Sequence, residues 1–133
     1  VCMKISAILG ISLLLGACAG GQKAHCNVDP VVFCAPFEEL EKDLSAREKD
    51  WLLQATPPDI IKLHRGFGTH IRNRFGLWED NEITHFFNAN GVNDADNMSG
   101  PFTTGFIGFL RGQPVVMTQE IKKLSLPPPP PPR

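Results

Sequence analysis

From Phe37 onward, apolar side chains return every three or four residues and polar ones fill the gaps, the spacing of helices with one buried face. Phe37, Leu40 and Leu44 stand at i, i+3 and i+7, Pro36 sits in the first turn and Glu38 and Glu39 lie near the positive helix end, so the spacing predicts a helix over 36–44. Ser45-Ala46-Arg47-Glu48 has the Ser-x-x-Glu form of a capping box and opens a second helix whose inner face is Trp51, Leu52 and Ala55. Thr56-Pro57-Pro58-Asp59 is a third start. Ile60, Ile61, Leu63, Phe67, Ile71 and Phe75 then recur at helical spacing, which predicts the longest helix, closed by Gly76. Gly66 and Gly68 inside that run each cost about 1 kcal/mol relative to alanine, so a partner helix or Trp78 is expected to approach closely there.

Asn81 caps a helix over Glu82–Asn90 with Ile83, Phe86 and Phe87 inward and Gly91 at its end, and Asn93–Asp96 forms a turn. From Asp96 to Leu110, Met98, Phe102, Phe106, Ile107, Phe109 and Leu110 make an apolar face, interrupted by Pro101, Gly105 and Gly108, before Arg111-Gly112 stops it. Gln113–Met117 reads as an extended connection, and Thr118–Ile121 opens a last helix ending by Leu126. No alternating strand pair and no internal repeat stands out. The expected fold is all-α, a small irregular bundle of about five short helices over 36–126.

The chain ahead of the bundle has a different character. After Lys4, Ile5 to Leu15 carries no charge and is followed by Leu15-Gly16-Ala17-Cys18. Such a run matches the roughly 7–15 residues of a secretory h-region and falls short of the roughly 20 that span a bilayer. A cysteine after Leu-Gly-Ala resembles the bacterial lipobox, so residues 1–17 are expected to be a signal peptide, with Met3 as the start and Cys18 as the acylated first residue of the mature chain. Two or three acyl chains anchor stably where one is marginal. No aspartate follows Cys18, so delivery to the outer membrane, facing the periplasm, is expected; Gly20-Gly21-Gln22-Lys23 is a flexible tether within 18–35.

Export changes how the other cysteines are read. Cys26 and Cys34 flank an Asn-Val-Asp-Pro turn, and an oxidising compartment favours a disulfide between them. A metal site of His25, Cys26 and Cys34 is the rival, but it lacks a CxxC pair and a fourth ligand. Pro127 to Pro132 is expected to form a polyproline II rod outside the core, read as a spacer over 127–133 in preference to a ligand for an aromatic groove. Thirteen basic against fourteen acidic side chains leave a net charge of −1, no field to gather nucleic acid, which is not expected as a partner.

The stretch Gly66-Phe67-Gly68-Thr69-His70-Ile71-Arg72-Asn73-Arg74-Phe75-Gly76-Leu77-Trp78 is the most distinctive in the chain. With His64 it matches His-x-Gly-x-Gly-x-x-Ile-Arg-Asn-x-x-Gly-Leu-Trp, and the chain resembles the bacterial domain-of-unknown-function family 6794. The likeness runs on through Phe86-Phe87-Asn88, Gly91-Val92, Asp96-Asn97-Met98-Ser99 and Phe109-Leu110-x-Gly112, over about Phe37 to Leu124. Pro101, Gly105 and Gly108 depart from the plain apolar helix of the family. The resemblance implies a small α-helical domain and no established reaction.

Candidate chemistry is sparse. His64, His70 and His85 with Asp94 and Asp96 could form a metal or acid–base site, yet His64 and His70 are six apart, about 600° of helical rotation, which turns them to different sides. Asp94–Asn97 lacks the glycine and terminal acid of a calcium loop and reads as a capping turn. Ser99 has no Gly-x-Ser-x-Gly elbow. No cofactor, metal or catalytic residue is expected, and a small metal-dependent or hydrolytic envelope enzyme using these histidines is the alternative. Arg72, Asn73 and Trp78 are the residues of interest, in one of two roles. They fix the helix-to-loop corner, with Arg72 paired to Asp96 or Glu82 and Trp78 buried over Phe67, Ile71 and Phe75, or they anchor a protein partner in a surface groove. The expected function is a lipid-anchored, periplasm-facing, non-enzymatic binding module that holds a protein partner, of immunity or envelope-accessory type.

Overall fold

A computed structural model describes residues 26–125; the expected signal peptide, Cys18, the expected tether up to residue 25 and the proline run lie outside them. The described chain is all-α, with seven α-helices and a single pair of two-residue strands. In order these are β1 (Val28–Asp29), a 3-10 turn (Val31–Phe33), α1 (Cys34–Asp43), α2 (Ala46–Gln54), α3 (Pro57–Lys62), α4 (Phe67–Arg74), α5 (Glu82–Ala89), α6 (Ala95–Leu110), β2 (Val115–Val116) and α7 (Met117–Ser125).

Side-chain caps mark the starts of α2, α5 and α6. Ser45 and Glu48 form a reciprocal box, Asn81 accepts from the Thr84 amide, and Asp94 accepts from the Asn97 amide. The end of α2 is closed from afar, since Arg111 donates to the carbonyls of Leu53 and Ala55 at 3.2 and 3.0 Å and so satisfies acceptors that a helix leaves open.

Three expectations need correction. The run from Thr56 to Phe75 is not one helix. It breaks at Leu63–Gly66, where Gly66 precedes α4 and the Gly68 amide reaches back to the Leu63 carbonyl at 2.8 Å. Two glycines within three residues make continuation costly, and α3, with no buried residue, gives the chain little reason to stay in line. Ile61, expected inside, is 77% exposed. The longest helix is instead α6, sixteen residues, which carries Pro101 without breaking. Burial on most of its circumference holds it in place, and the absent Cβ atoms of Gly105 and Gly108 let Met117 and Val115 pack against it. A strand pair does exist, with Val28 beside Val115 and Asp29 beside Val116 in parallel; two residues are too few to show alternation in the sequence.

The core is aromatic. Phe33, Phe37, Phe87, Phe102 and Phe106 are fully buried, and Phe102 meets Phe37 edge-on at 5.2 Å and stacks on Phe75 at 5.0 Å. Met98, Phe102 and Phe106 recur at i, i+4 and i+8 on α6, which makes α6 the axis on which α4 and α7 pack. Cys26 and Cys34 are disulfide-bonded, with Cα atoms 5.9 Å apart, and tie the chain ahead of β1 to the start of α1.

Candidate functional site

The corner between α4 and α5 is set by Gly76. Its φ of 58° is a left-handed conformation that an L side chain resists, and it places the Leu77 amide 3.0 Å from the Arg72 carbonyl. That six-to-one hydrogen bond is the Schellman closure, in which the residue after the glycine turns its side chain onto the helix it has just left. Leu77 therefore goes inward and is 3% exposed, while Trp78, the next residue, points outward and is 64% exposed. The expectation of a buried Trp78 over Phe67, Ile71 and Phe75 is thus overturned: the residue beyond Gly76 that enters the core is Leu77.

The Arg72 guanidinium is directed at α6 rather than at that corner. Arg72 is 7% exposed, and its guanidinium donates to Ser99 Oγ at 2.9 Å, to Thr69 Oγ1 at 2.8 Å and to the His64 carbonyl at 3.4 Å. Of the two acids expected as its partner it takes Asp96, whose Oδ1 lies 3.3 Å from Nε. That pairing is one of charge rather than a formed hydrogen bond, since Nε has no hydrogen-bond partner. Gly68 makes the arrangement possible: a Cβ there would lie 3.1 Å from an Arg72 terminal nitrogen and 3.4 Å from Ser99 Oγ. Neither Gly66 nor Gly68 receives Trp78: Gly66 faces open space, and Gly68 is approached by Arg72 and by Ser99 of α6. Arg72 is a clamp between α4 and α6, out of reach of an incoming macromolecule.

Asn73 and Trp78 face the other way. The indole Nε1 donates to Asn73 Oδ1 at 3.4 Å, and the loop beneath is tied by Asn81 Nδ2 to the Gly76 carbonyl at 2.9 Å and by Thr84 Oγ1 to the Glu79 carbonyl at 2.8 Å. Asn73 also lines a groove of about 570 Å³ between the start of α1 and this corner, whose walls include Val32, Pro36, Phe75, Glu79 and Ile83. An exposed tryptophan on a fastened loop beside such a groove is the kind of rigid aromatic anchor that carries binding energy in protein interfaces. The three residues expected to act together are therefore divided, one in the interior and two on the surface. Thr69, one helical turn before Arg72, is within reach of a spacing argument. Ser99, 27 residues away, leaves no such signal.

The histidines do not converge. His70 lies 3.6 Å from Asp43, His85 pairs with Asp80, and His64 lines a small cavity with Ile60, Ile61 and Leu124. Among the described residues no three His, Cys, Asp or Glu side chains are placed to hold a metal ion.

Compared with known proteins, residues 31–108, more than half of the chain, match the family described as Domain of unknown function (DUF6794). The match takes in the Gly66–Trp78 stretch and most of α6 and stops before β2. No curated protein and no solved structure matches the chain.

Proposed function

The chain belongs to the DUF6794 family, and on that premise we propose that it is a lipid-anchored module of the cell envelope, facing the periplasm from the outer membrane, that holds a protein partner of immunity or envelope-accessory type. The observation that carries this reading is Trp78, a large side chain left 64% exposed on a loop whose backbone is tied at both ends. A domain that needed the ring for its own packing would have buried it, as it buries Leu77. The groove that Asn73 lines gives a partner mixed walls, apolar at Val32, Phe75 and Ile83 and charged at Glu39, Arg74, Glu79 and Glu82. The lipobox-like Leu15-Gly16-Ala17-Cys18 supports the membrane attachment.

The test is a photo-crosslinking amino acid placed at position 78 of the full chain in cells. A single protein adduct, captured in stoichiometric amount and competed away by the unmodified chain, is the expected result. Crosslinking spread over many abundant proteins, or none above a control at the exposed position Asp50, contradicts it.

A further inference from the structure

Trp51 is a second tryptophan that does not enter the core, and it belongs to a different face. It is 48% exposed on α2, and its indole N–H has no acceptor among the described residues, unlike that of Trp78. It lines a groove of about 520 Å³ with Leu44, Leu52, Leu63, Phe67 and His70, and the rings of Phe67 and His70 stack there at 6.5 Å with planes 27° apart. The rim carries Glu48 and Asp43 beside Arg47, and Asp43 is also approached by Arg74 at 3.1 Å and His70 at 3.6 Å. Flat aromatic faces, an unused donor and an acidic edge make a definite request of an occupant: flat apolar rings, carbonyl acceptors without competing amide hydrogens, and a cation at one end.

The chain supplies such a segment. Leu126 is followed by six prolines and Arg133. Prolines have no amide hydrogen and favour a pre-extended rod, which is why proline-rich segments dock in aromatic-lined grooves at low entropic cost. We propose that the groove holds the chain's own Leu126–Arg133 segment, with prolines against Trp51, Phe67 and His70 and Arg133 toward Asp43 and Glu48. The path is short. Leu124, near the end of α7, lines a cavity with Ile60, Ile61 and His64, and Leu63 of the same α3–α4 turn lines the groove. Eight residues at about 3.1 Å each reach roughly 25 Å, about twice the roughly 10–12 Å diameter of one helix with its side chains. Attachment also lowers the affinity required. A short tether gives an effective concentration on the order of millimolar, so a contact as weak as about 1 mM is enough to fill the groove about half the time.

The protein has two tryptophans, so its indole N–H region in a nitrogen-15 NMR spectrum shows two signals, assigned by Trp78→Phe. The comparison is between the full chain and a full-length variant with Pro127 to Pro132 all changed to Ser, whose melting temperature serves as the folding control. The expected result is a displaced Trp51 indole signal in the variant and an unmoved Trp78 signal. A synthetic peptide of the Leu126–Arg133 sequence, titrated to about millimolar, then returns the Trp51 signal in the variant and binds the unaltered chain severalfold more weakly, because its groove is already occupied. Identical Trp51 signals in the two proteins overturn the proposal. So does a displacement that vanishes on dilution, which assigns the segment to a second copy. Equal peptide binding by both proteins also overturns it and makes the groove a site for an outside proline-rich partner.

Discussion

At the scale of single residues, Arg72 does what only a planar, five-donor group can. Its guanidinium reaches Ser99, Thr69 and the His64 carbonyl at once, from a side chain 8% exposed. Lysine offers one rotatable ammonium and cannot satisfy the three together. Arg72→Lys is therefore expected to lose about 1–3 kcal/mol by leaving buried acceptors unpaired, read as a lower midpoint in chemical denaturation; a midpoint equal to wild type contradicts the clamp. The pairing with Asp96 was one of two options open from the sequence, because Arg72 and an acid are visible there but the helix crossing that selects the acid is not. The placement of Trp78 was not legible. Gly76 announces a left-handed helix end, yet whether the first or second residue beyond it turns inward depends on the six-to-one hydrogen bond from Leu77 to Arg72, a backbone detail that the composition of the loop does not encode.

At the scale of elements, the helix starts were the most legible feature, since a cap is a local bargain between a side chain and amides within three residues. Two of these caps also set a pH dependence. The Ser45 backbone amide, and next its hydroxyl, hold the Glu48 carboxyl below its usual 4.5, and the Thr56 hydroxyl and then its amide hold Asp59 below 3.8. Both groups bind protons more tightly when unfolded, so their stabilisation is complete above those usual values and is lost as pH falls through the lower folded ones. Glu48→Gln keeps the capping geometry and removes that proton site; thermal melts from pH 6 to 3 should show a shallower acid decline than wild type, and an identical decline contradicts the assignment. The joint between α6 and what packs on it was less legible, because glycines inside an apolar run read as interruptions. A Cβ on Gly105 would lie 2.6 Å from Met117 Sδ and 3.3 Å from the Phe37 ring. Gly105→Ala gains about 1 kcal/mol of helix propensity against an overpacking cost of about 1–3 kcal/mol, so the melting temperature is expected to fall or at best hold; a clear rise shows that the contact is slack.

At the scale of the whole molecule, the all-α class followed from the 3.6-residue period, whereas the surface that matters followed from two tryptophans whose indoles the period placed inward or left ambiguous. An aromatic residue in a helical pattern looks like core until the tertiary packing shows that Leu52 and Leu77 already occupy the places near Trp51 and Trp78. The membrane attachment is an independent claim: Cys18→Ala should abolish palmitate labelling and globomycin-sensitive processing and leave the protein in the soluble fraction, and a variant still membrane-bound contradicts it. The central claim, that the domain folds without the Trp78 ring and binds with it, is tested most directly by Trp78→Ala measured twice, once by thermal melting and once by capture of the partner from the envelope. An exposed side chain of this kind changes stability by no more than about 0.5 kcal/mol, so the melting temperature should stay within roughly 4 °C of wild type while the stoichiometric partner is lost. A fall of more than about 12 °C, as expected for the roughly 3–5 kcal/mol of a buried tryptophan, or full partner capture by the variant, contradicts the account.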